Sequence, residues 1–267
     1  MECMTKPDMS VNWAQILIEA AGNVRSSIRG ALLNRSAMEN SELKALLDSK
    51  AQTAIQDTLR EGGNPCNVIS EEGDYVIGEG GPYITLDPVD GTTNLSRGIP
   101  MAVTSMAVSP TRNLSEVTTA IIMDLYTGEV FRAERNQGAW RGGKRMLPSG
   151  PKLISDAIIS LDMSKETPVE PLIPLIEGAR RLRQLGASAL SLCYVASGIL
   201  DAHVDLRGKL RSTDVAAGLL ILKEAGGIYS INGKINNELE LSKESKLTLV
   251  AASSVGTLEE ILIKLGQ

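Results

Sequence analysis

Histidine is almost missing from this chain, with one residue, His203, in 267. That scarcity excludes histidine-rich zinc sites, and any Ser/His/Asp triad would have to use His203. Its setting, Asp201-Ala202-His203-Val204-Asp205, alternates like a strand and reads as a structural position. Cysteine is also sparse. Cys3, Cys66 and Cys193 are odd in number and lack metal-ligand spacing, so they read as reduced thiols, Cys193 as a core residue. Positive charge is in deficit: a net charge of −5 and a pI near 5.2 argue against a broad nucleic-acid surface and against attraction to anionic membranes. No apolar run approaches the roughly 20 residues of a membrane span, and no secretory-signal pattern opens the sequence. A cytoplasmic protein with neither nucleic acid nor membrane as partner is expected, which leaves carboxylate and oxygen chemistry.

The stretch that carries such chemistry is Ile84-Thr85-Leu86-Asp87-Pro88-Val89-Asp90-Gly91-Thr92-Thr93-Asn94. Tyr83 to Leu86 reads as a buried strand that Asp87-Pro88 should end, because proline has no N–H for the ladder. A tight corner at Pro88-Val89 lets Asp87 and Asp90 converge. Gly91 admits close backbone approach, and Thr92 and Thr93 add hydroxyls. Paired carboxylates repel, and a hard divalent cation relieves that repulsion. From Asn94 to Arg97 a short helix can open. An Asp-Pro-x-Asp-Gly string is equally a way to write a solvated turn.

Around it, helical periodicity runs from Ser10 through Leu32 and again from Ser41 to about Arg60. Asp48 shares a side with Ala51 and Ile55, at the interior edge of the second helix or at its rim, facing water or Lys44. Asn67 to Ser70 is a short strand delivering Glu71-Glu72-Gly73 to a loop, and Gly78 to Pro82 is a flexible connection or hairpin turn. Met101–Val108, Val117–Met123 and Gly128–Arg132 read as consecutive strands of an antiparallel sheet. Breaks at 136–138, 142–144 and 148–151 mark the best boundary, giving halves 1–150 and 151–267. The second half alternates strand and helix, with helices at Pro171–Arg181, Ser188–Ser197, Asp214–Ala225 and Gly256–Leu265. Asp214 stands where a helix N-cap would. Arg207, Lys209 and Arg211, and also Arg180, Arg181 and Arg183, either recognise an anionic group or are solvated loop charges.

Taken together, Ser70-Glu71-Glu72, Asp87-Pro88-Val89-Asp90-Gly91-Thr92-Thr93-Asn94, and Asp214-Val215-Ala216-Ala217-Gly218 ending in Glu224-Ala225-Gly226-Gly227 resemble the two signatures of the inositol monophosphatase-like phosphatases, which are magnesium-dependent and lithium-sensitive. The resemblance implies a layered αβαβα sandwich of the inositol monophosphatase/fructose-1,6-bisphosphatase type, an α+β half followed by an α/β half. It implies two or three Mg²⁺ per site: Glu71, Asp87 and the Val89 carbonyl at the metal that activates water, and Asp87, Asp90 and Asp214 at a second, with Glu71 also near a third. Asp48 and Thr92 would orient the nucleophilic water. Asp90, Gly91, Thr92 and Thr93 would hold the phosphate, with Gly186, Ala187 and Ser188 facing the polyol and Arg207 and Arg211 a second phosphate.

The expected activity is hydrolysis of inositol monophosphate, and of fructose 1,6-bisphosphate as in archaeal members with an Asp-Leu-Arg-Gly-Lys-Leu-Arg-Ser-Thr-Asp run. The alternatives are a 3′-phosphoadenosine 5′-phosphate nucleotidase and a binding partner of the transcription machinery. A homodimer is implied by the resemblance alone. Ile84, Leu95 and Ser212-Thr213 depart from the commonest pattern, which bears on sugar specificity and leaves the metal ligands intact.

Overall fold

A computed structural model describes residues 11–164 and 167–267; Cys3 and the expected helix start at Ser10 lie outside them. Two long helices open the described chain, α1 (Trp13–Leu33) and α2 (Asn40–Glu61). In α1 the Asn12 side chain accepts the Gln15 N–H at 3.1 Å, satisfying one of the donors that a first turn leaves open. Leu17, Ala20, Ala21, Val24 and Ile28 then form its buried stripe. Strands β1 (Cys66–Ser70), β2 (Tyr75–Ile77), β3 (Tyr83–Asp90), β4 (Val103–Ser109), β5 (Thr119–Asp124), β6 (Val130–Glu134), β7 (Gly138–Arg141) and β8 (Lys144–Arg145) follow, with the short helix α3 (Thr92–Arg97) after β3. They build one sheet in the order β2-β1-β3-β4-β5-β6-β7-β8. It is antiparallel except that β1 and β3 run parallel. Gly78 to Pro82 is thus a connection, because β2 pairs with β1 and not with β3.

A second sheet, ordered β10-β9-β11-β14-β12-β13, comprises β9 (Ile158–Asp162), β10 (Arg181–Arg183), β11 (Ala202–Leu210), β12 (Ile228–Ile231), β13 (Lys234–Ile235) and β14 (Leu247–Ala252). Its helices are α4 (Ile173–Gly178), α5 (Ser188–Ala196), α6 (Ser212–Ala225) and α7 (Val255–Lys264). The expected helix over Pro171–Arg181 is broken. A 3₁₀ turn holds Glu170–Leu172, α4 stops at Gly178 and Arg181 already belongs to an edge strand. Pro171 and Pro174 supply no N–H to hold a longer helix together. The expected breaks at 136–138 and 142–144 flank β7 and run into β8.

Three apolar clusters define the layers. α1 and α2 cover one face of the first sheet. α5 and α6 lie between the sheets, where Ile69, Val103, Ile122 and Phe131 meet Leu190, Leu192, Leu219 and Leu249. α7 and the residues around α4 cover the far face of the second sheet. This is an αβαβα sandwich. The described strands of the two sheets fall on either side of the proposed boundary at 150, and α5 and α6 join them in one core.

The contact of α5 with α6 depends on Gly218, because a Cβ there would stand 2.6 Å from Leu192 Cδ1 and 2.9 Å from its Cβ. The backbone-anchored Leu192 Cβ cannot retreat as a side-chain tip would. Gly218→Val is expected to lower the unfolding free energy by about 2 kcal/mol, in the range for overpacking a filled core. Urea denaturation checks this; an unchanged midpoint contradicts it.

Candidate functional site: a carboxylate cleft between the sheets

β3 does not stop at Pro88, as its sequence predicts, but runs on to Asp90 through a bulge. Asp87 pairs with Ser105 and Asp90 with Val103, so three steps on β3 answer two on β4. Side chains alternate along a regular strand, and residues three apart face opposite sides. The extra residue re-aims the chain, so that both aspartates open into one cleft. Pro88 is tolerated because its missing N–H falls where the ladder is already interrupted. At the end of β3, Gly91 turns with φ +90°, and a Cβ there would lie 2.7 Å from the Met101 carbonyl oxygen.

The cleft, roughly 770 Å³ including its open mouth, is lined by Glu71, Asp87, Val89, Asp90, Gly91, Thr92, Thr93, Gly186, Ser188, Arg207, Arg211 and Asp214, with Asp162 and Leu210. All but the last two were expected from the sequence. Ala187, also expected there, lies behind them, buried, with its Cβ 3.2 Å from where a Gly91 Cβ would be. Glu71, Asp87 and Asp214 come together so that one carboxylate oxygen of each lies within 4.8 Å of the others. They arrive from the end of β1, from β3 and from the first turn of α6. Asp214 is the third residue of that helix, not its N-cap: its Oδ2 accepts the Arg211 N–H at 2.9 Å and its Oδ1 the Thr213 hydroxyl at 3.0 Å.

Asp90 differs from these three. Its oxygens accept the N–H groups of Ser188 at 3.2 Å and Ala189 at 2.7 Å, satisfying two of the open donors of α5. Each oxygen keeps a lone pair for a further partner. The Thr92 hydroxyl stands 3.1 Å from Asp48 Oδ1 and 2.9 Å from the Val89 carbonyl oxygen, and its one hydrogen serves either. Asn94 donates to the carbonyls of Met101, at 2.9 Å, and Leu185, at 2.7 Å, tying the β3 turn to the segment that leads into α5.

Electrostatically the cleft is strained. Burial, reinforced by the charges of Glu71, Asp90 and Asp214, holds the Asp87 carboxyl well above its ordinary range. Burial and Asp214 do the same to Asp90. Asp214 is also raised by burial, against the pull of Arg211. Asp48 is pushed up to about 6, chiefly by burial, with the Thr92 hydroxyl opposing. The two arginines are both engaged: Arg211 pairs with Glu71 and sits 3.4 Å from Asp214, and Arg207 Nε donates to both Asp205 oxygens at 3.0 Å.

Three participants escaped the sequence reading. Asp162 ends β9 in the cleft, 3.7 Å from Arg207, and accepts the Ser188 hydroxyl at 3.2 Å. Its signal was present, since Ile159 to Leu161 running into Asp162 repeats the pattern of Leu86 and Asp87. Asp205, beneath Arg207, gave no such sign. Lys44 was considered only as a partner of Asp48 but reaches Thr93. His203 is fully buried, in keeping with a structural residue. Cys66 and Cys193 are free and buried. No described helix is long and apolar enough to cross a membrane.

Layers and cleft together define an αβαβα protein whose acidic centre is suited to a cation. A family model described as the inositol monophosphatase family matches residues 5–264. The chain belongs to that family. It is 29% identical over 260 residues to a fructose-1,6-bisphosphatase/inositol-1-monophosphatase of Thermococcus kodakarensis, covering 95% of this chain and 97% of that one. It is 32% identical over 195 residues to the Nus factor SuhB of Pseudomonas aeruginosa, covering 69% and 70%. Among solved structures, a Pyrococcus horikoshii hypothetical protein with similarities to inositol-1 monophosphatase superposes with a TM-score of 0.80 at 31% identity, over 94% of this chain and 97% of that one.

The raised carboxyls carry a pH consequence. Without a cation, the unfolded chain gives up these protons near pH 4 while the folded cleft retains them. The folded state then binds more protons, and its stability falls as pH rises above about 4 until the folded-state values are passed. A divalent cation requires the ionised forms and relieves this cost. The rise in melting temperature on adding Mg²⁺ is therefore expected to be larger at pH 8 than at pH 5. Equal rises at both would show that the cleft carboxylates are not the cation's partners.

Proposed function

We propose that the chain is a Mg²⁺-dependent phosphomonoesterase acting on inositol monophosphate and on fructose 1,6-bisphosphate. The observation that carries this reading is the convergence of Glu71, Asp87 and Asp214 on one point of the cleft, where Arg211 pairs with Glu71 and stands beside Asp214. An all-oxygen donor set of this kind fits a hard divalent ion and excludes a soft one. Glu71, Asp87, Asp214 and the Val89 carbonyl would hold it, with Asp90 beside them. A divalent ion held there supplies Lewis acidity and charge neutralisation for phosphoryl transfer. On family grounds the proposal extends to two or three Mg²⁺ and to a cytoplasmic homodimer.

The remaining roles belong to the chain's own groups. Thr92 lines the cleft and Asp48 stands behind it in hydrogen-bond contact, a pair that can orient a water and accept its proton as it attacks phosphorus. Gly91 to Thr93 offer backbone N–H groups and hydroxyls to the phosphoryl oxygens. Gly186 and Ser188 face the alcohol portion of the substrate. Arg207, held rigidly by Asp205, points a prepaid cation at a second anionic group, which favours a bisphosphate among the substrates.

Phosphate release from inositol 1-phosphate and from fructose 1,6-bisphosphate with Mg²⁺ present tests the reading, and hydrolysis of neither overturns it. Asp87→Asn and Asp214→Asn are each expected to abolish Mg²⁺-dependent turnover with the circular dichroism spectrum unchanged; full activity in both would refute the ligand assignment. Arg211 occupies the carboxylates as an internal counter-ion. Its removal in Arg211→Gln is expected to tighten Mg²⁺ binding in calorimetry, and weaker binding would show that the ion pair does not compete with metal.

A further inference from the structure

Among the described residues, both arginines that line the cleft are already paired. Five carboxylates line the cleft, those of Glu71, Asp87, Asp90, Asp162 and Asp214, while Arg207 is held by Asp205 and Arg211 by Glu71. A phosphate dianion approaching Gly91 to Thr93 would meet dipoles and negative charge. α2 alters that balance. The half-buried Lys44 extends its Nζ to within 2.6 Å of Thr93 Oγ1, and Thr93 lines the cleft. One helical turn further on, Asp48 contacts Thr92. Residues four apart share a helix face, so α2 delivers a cation and a carboxylate to successive residues of one loop.

We infer that Lys44 binds the phosphoryl group of the substrate, supplying from α2 the positive charge that the loop itself lacks. This deepens the phosphomonoesterase reading and rests on it. An ammonium has three donors and no acceptor, and Lys44 spends one on Thr93, leaving two for phosphate oxygens. Asp48, one turn on, feels its charge, but no described carboxylate lies within salt-bridge distance of Lys44, so engaging phosphate breaks no close ion pair. A flexible stem with a compact charge suits a ligand that arrives and leaves each cycle. A purely structural strap between α2 and α3 would also explain the contact with Thr93, and the two roles separate in kinetics.

Lys44→Met keeps the length of the side chain and removes the charge; Lys44→Arg restores the charge. With Mg²⁺ present, KM for the hydrolysed substrate and Ki for inorganic phosphate are expected to rise together by about tenfold in Lys44→Met, the scale of one hydrogen bond to a charged group. Lys44→Arg should recover most of both, and the dependence of the phosphate Ki on ionic strength should flatten only in Lys44→Met. Wild-type KM and Ki in Lys44→Met, or a lowered melting temperature without a change in Ki, overturns the inference and leaves the phosphatase reading standing. A wild-type chain that hydrolyses neither inositol 1-phosphate nor fructose 1,6-bisphosphate sinks both.

Discussion

Repulsion among Glu71, Asp87 and Asp214 is the constraint on which the rest of the structure depends. Unit charges about 5 Å apart repel by roughly 3 kcal/mol per pair at an effective dielectric of about 20, and burial adds to that. No local sequence preference would gather them. They are held there by the packing of two sheets around α5 and α6, so the apolar core between the sheets maintains an arrangement that its own electrostatics opposes. Such opposition is expected where function and stability compete: burial, with the neighbouring charges added, raises the Asp87 and Asp214 carboxyls, and Arg211 folds back among them.

The bulge in β3 and the seating of α5 and α6 are the devices that convert that packing into a site. The bulge gives Asp87 and Asp90 a common outlook. Asp90 then grips the first N–H groups of α5, and Asn94 holds the carbonyl of Leu185 just before it. The first turn of α6 presents Asp214 beside Arg211, while Gly218, one turn on, lets that helix approach Leu192. Each contact crosses from the β3 motif or α6 to a neighbouring element, and together they set distances that a single strand or loop could not.

Much of this was legible in the order of residues. Periodicity located α1 and α2 to within a few positions, and apolar runs located the long strands. Glu71, Asp87 and Asp90 stood out as carboxylates just past apolar strands, whereas Asp214 by itself read as a helix N-cap and joined them only through the family resemblance. What escaped was short or distant. β2, β7 and β8 are two to four residues long and carry too little pattern to separate from turns. Pro88 reads as a strand end unless the bulge in which it sits is known. Asp205 and Lys44 act on Arg207 and Thr93 through contacts that only the folded chain creates, although Asp162 repeated a pattern already recognised at Asp87.

The central claim is that the gathered carboxylates are a divalent-cation centre at which a phosphate ester is cleaved. Crystals grown with Mn²⁺ as a scattering substitute for Mg²⁺, together with inorganic phosphate, test it most directly through anomalous difference maps. The account predicts a strong peak bonded to Asp87 and shared with Glu71 or Asp214, with phosphate oxygens between it and the Gly91–Thr93 loop. An active, Mn²⁺-supported protein whose crystals show no peak in that cleft would contradict it.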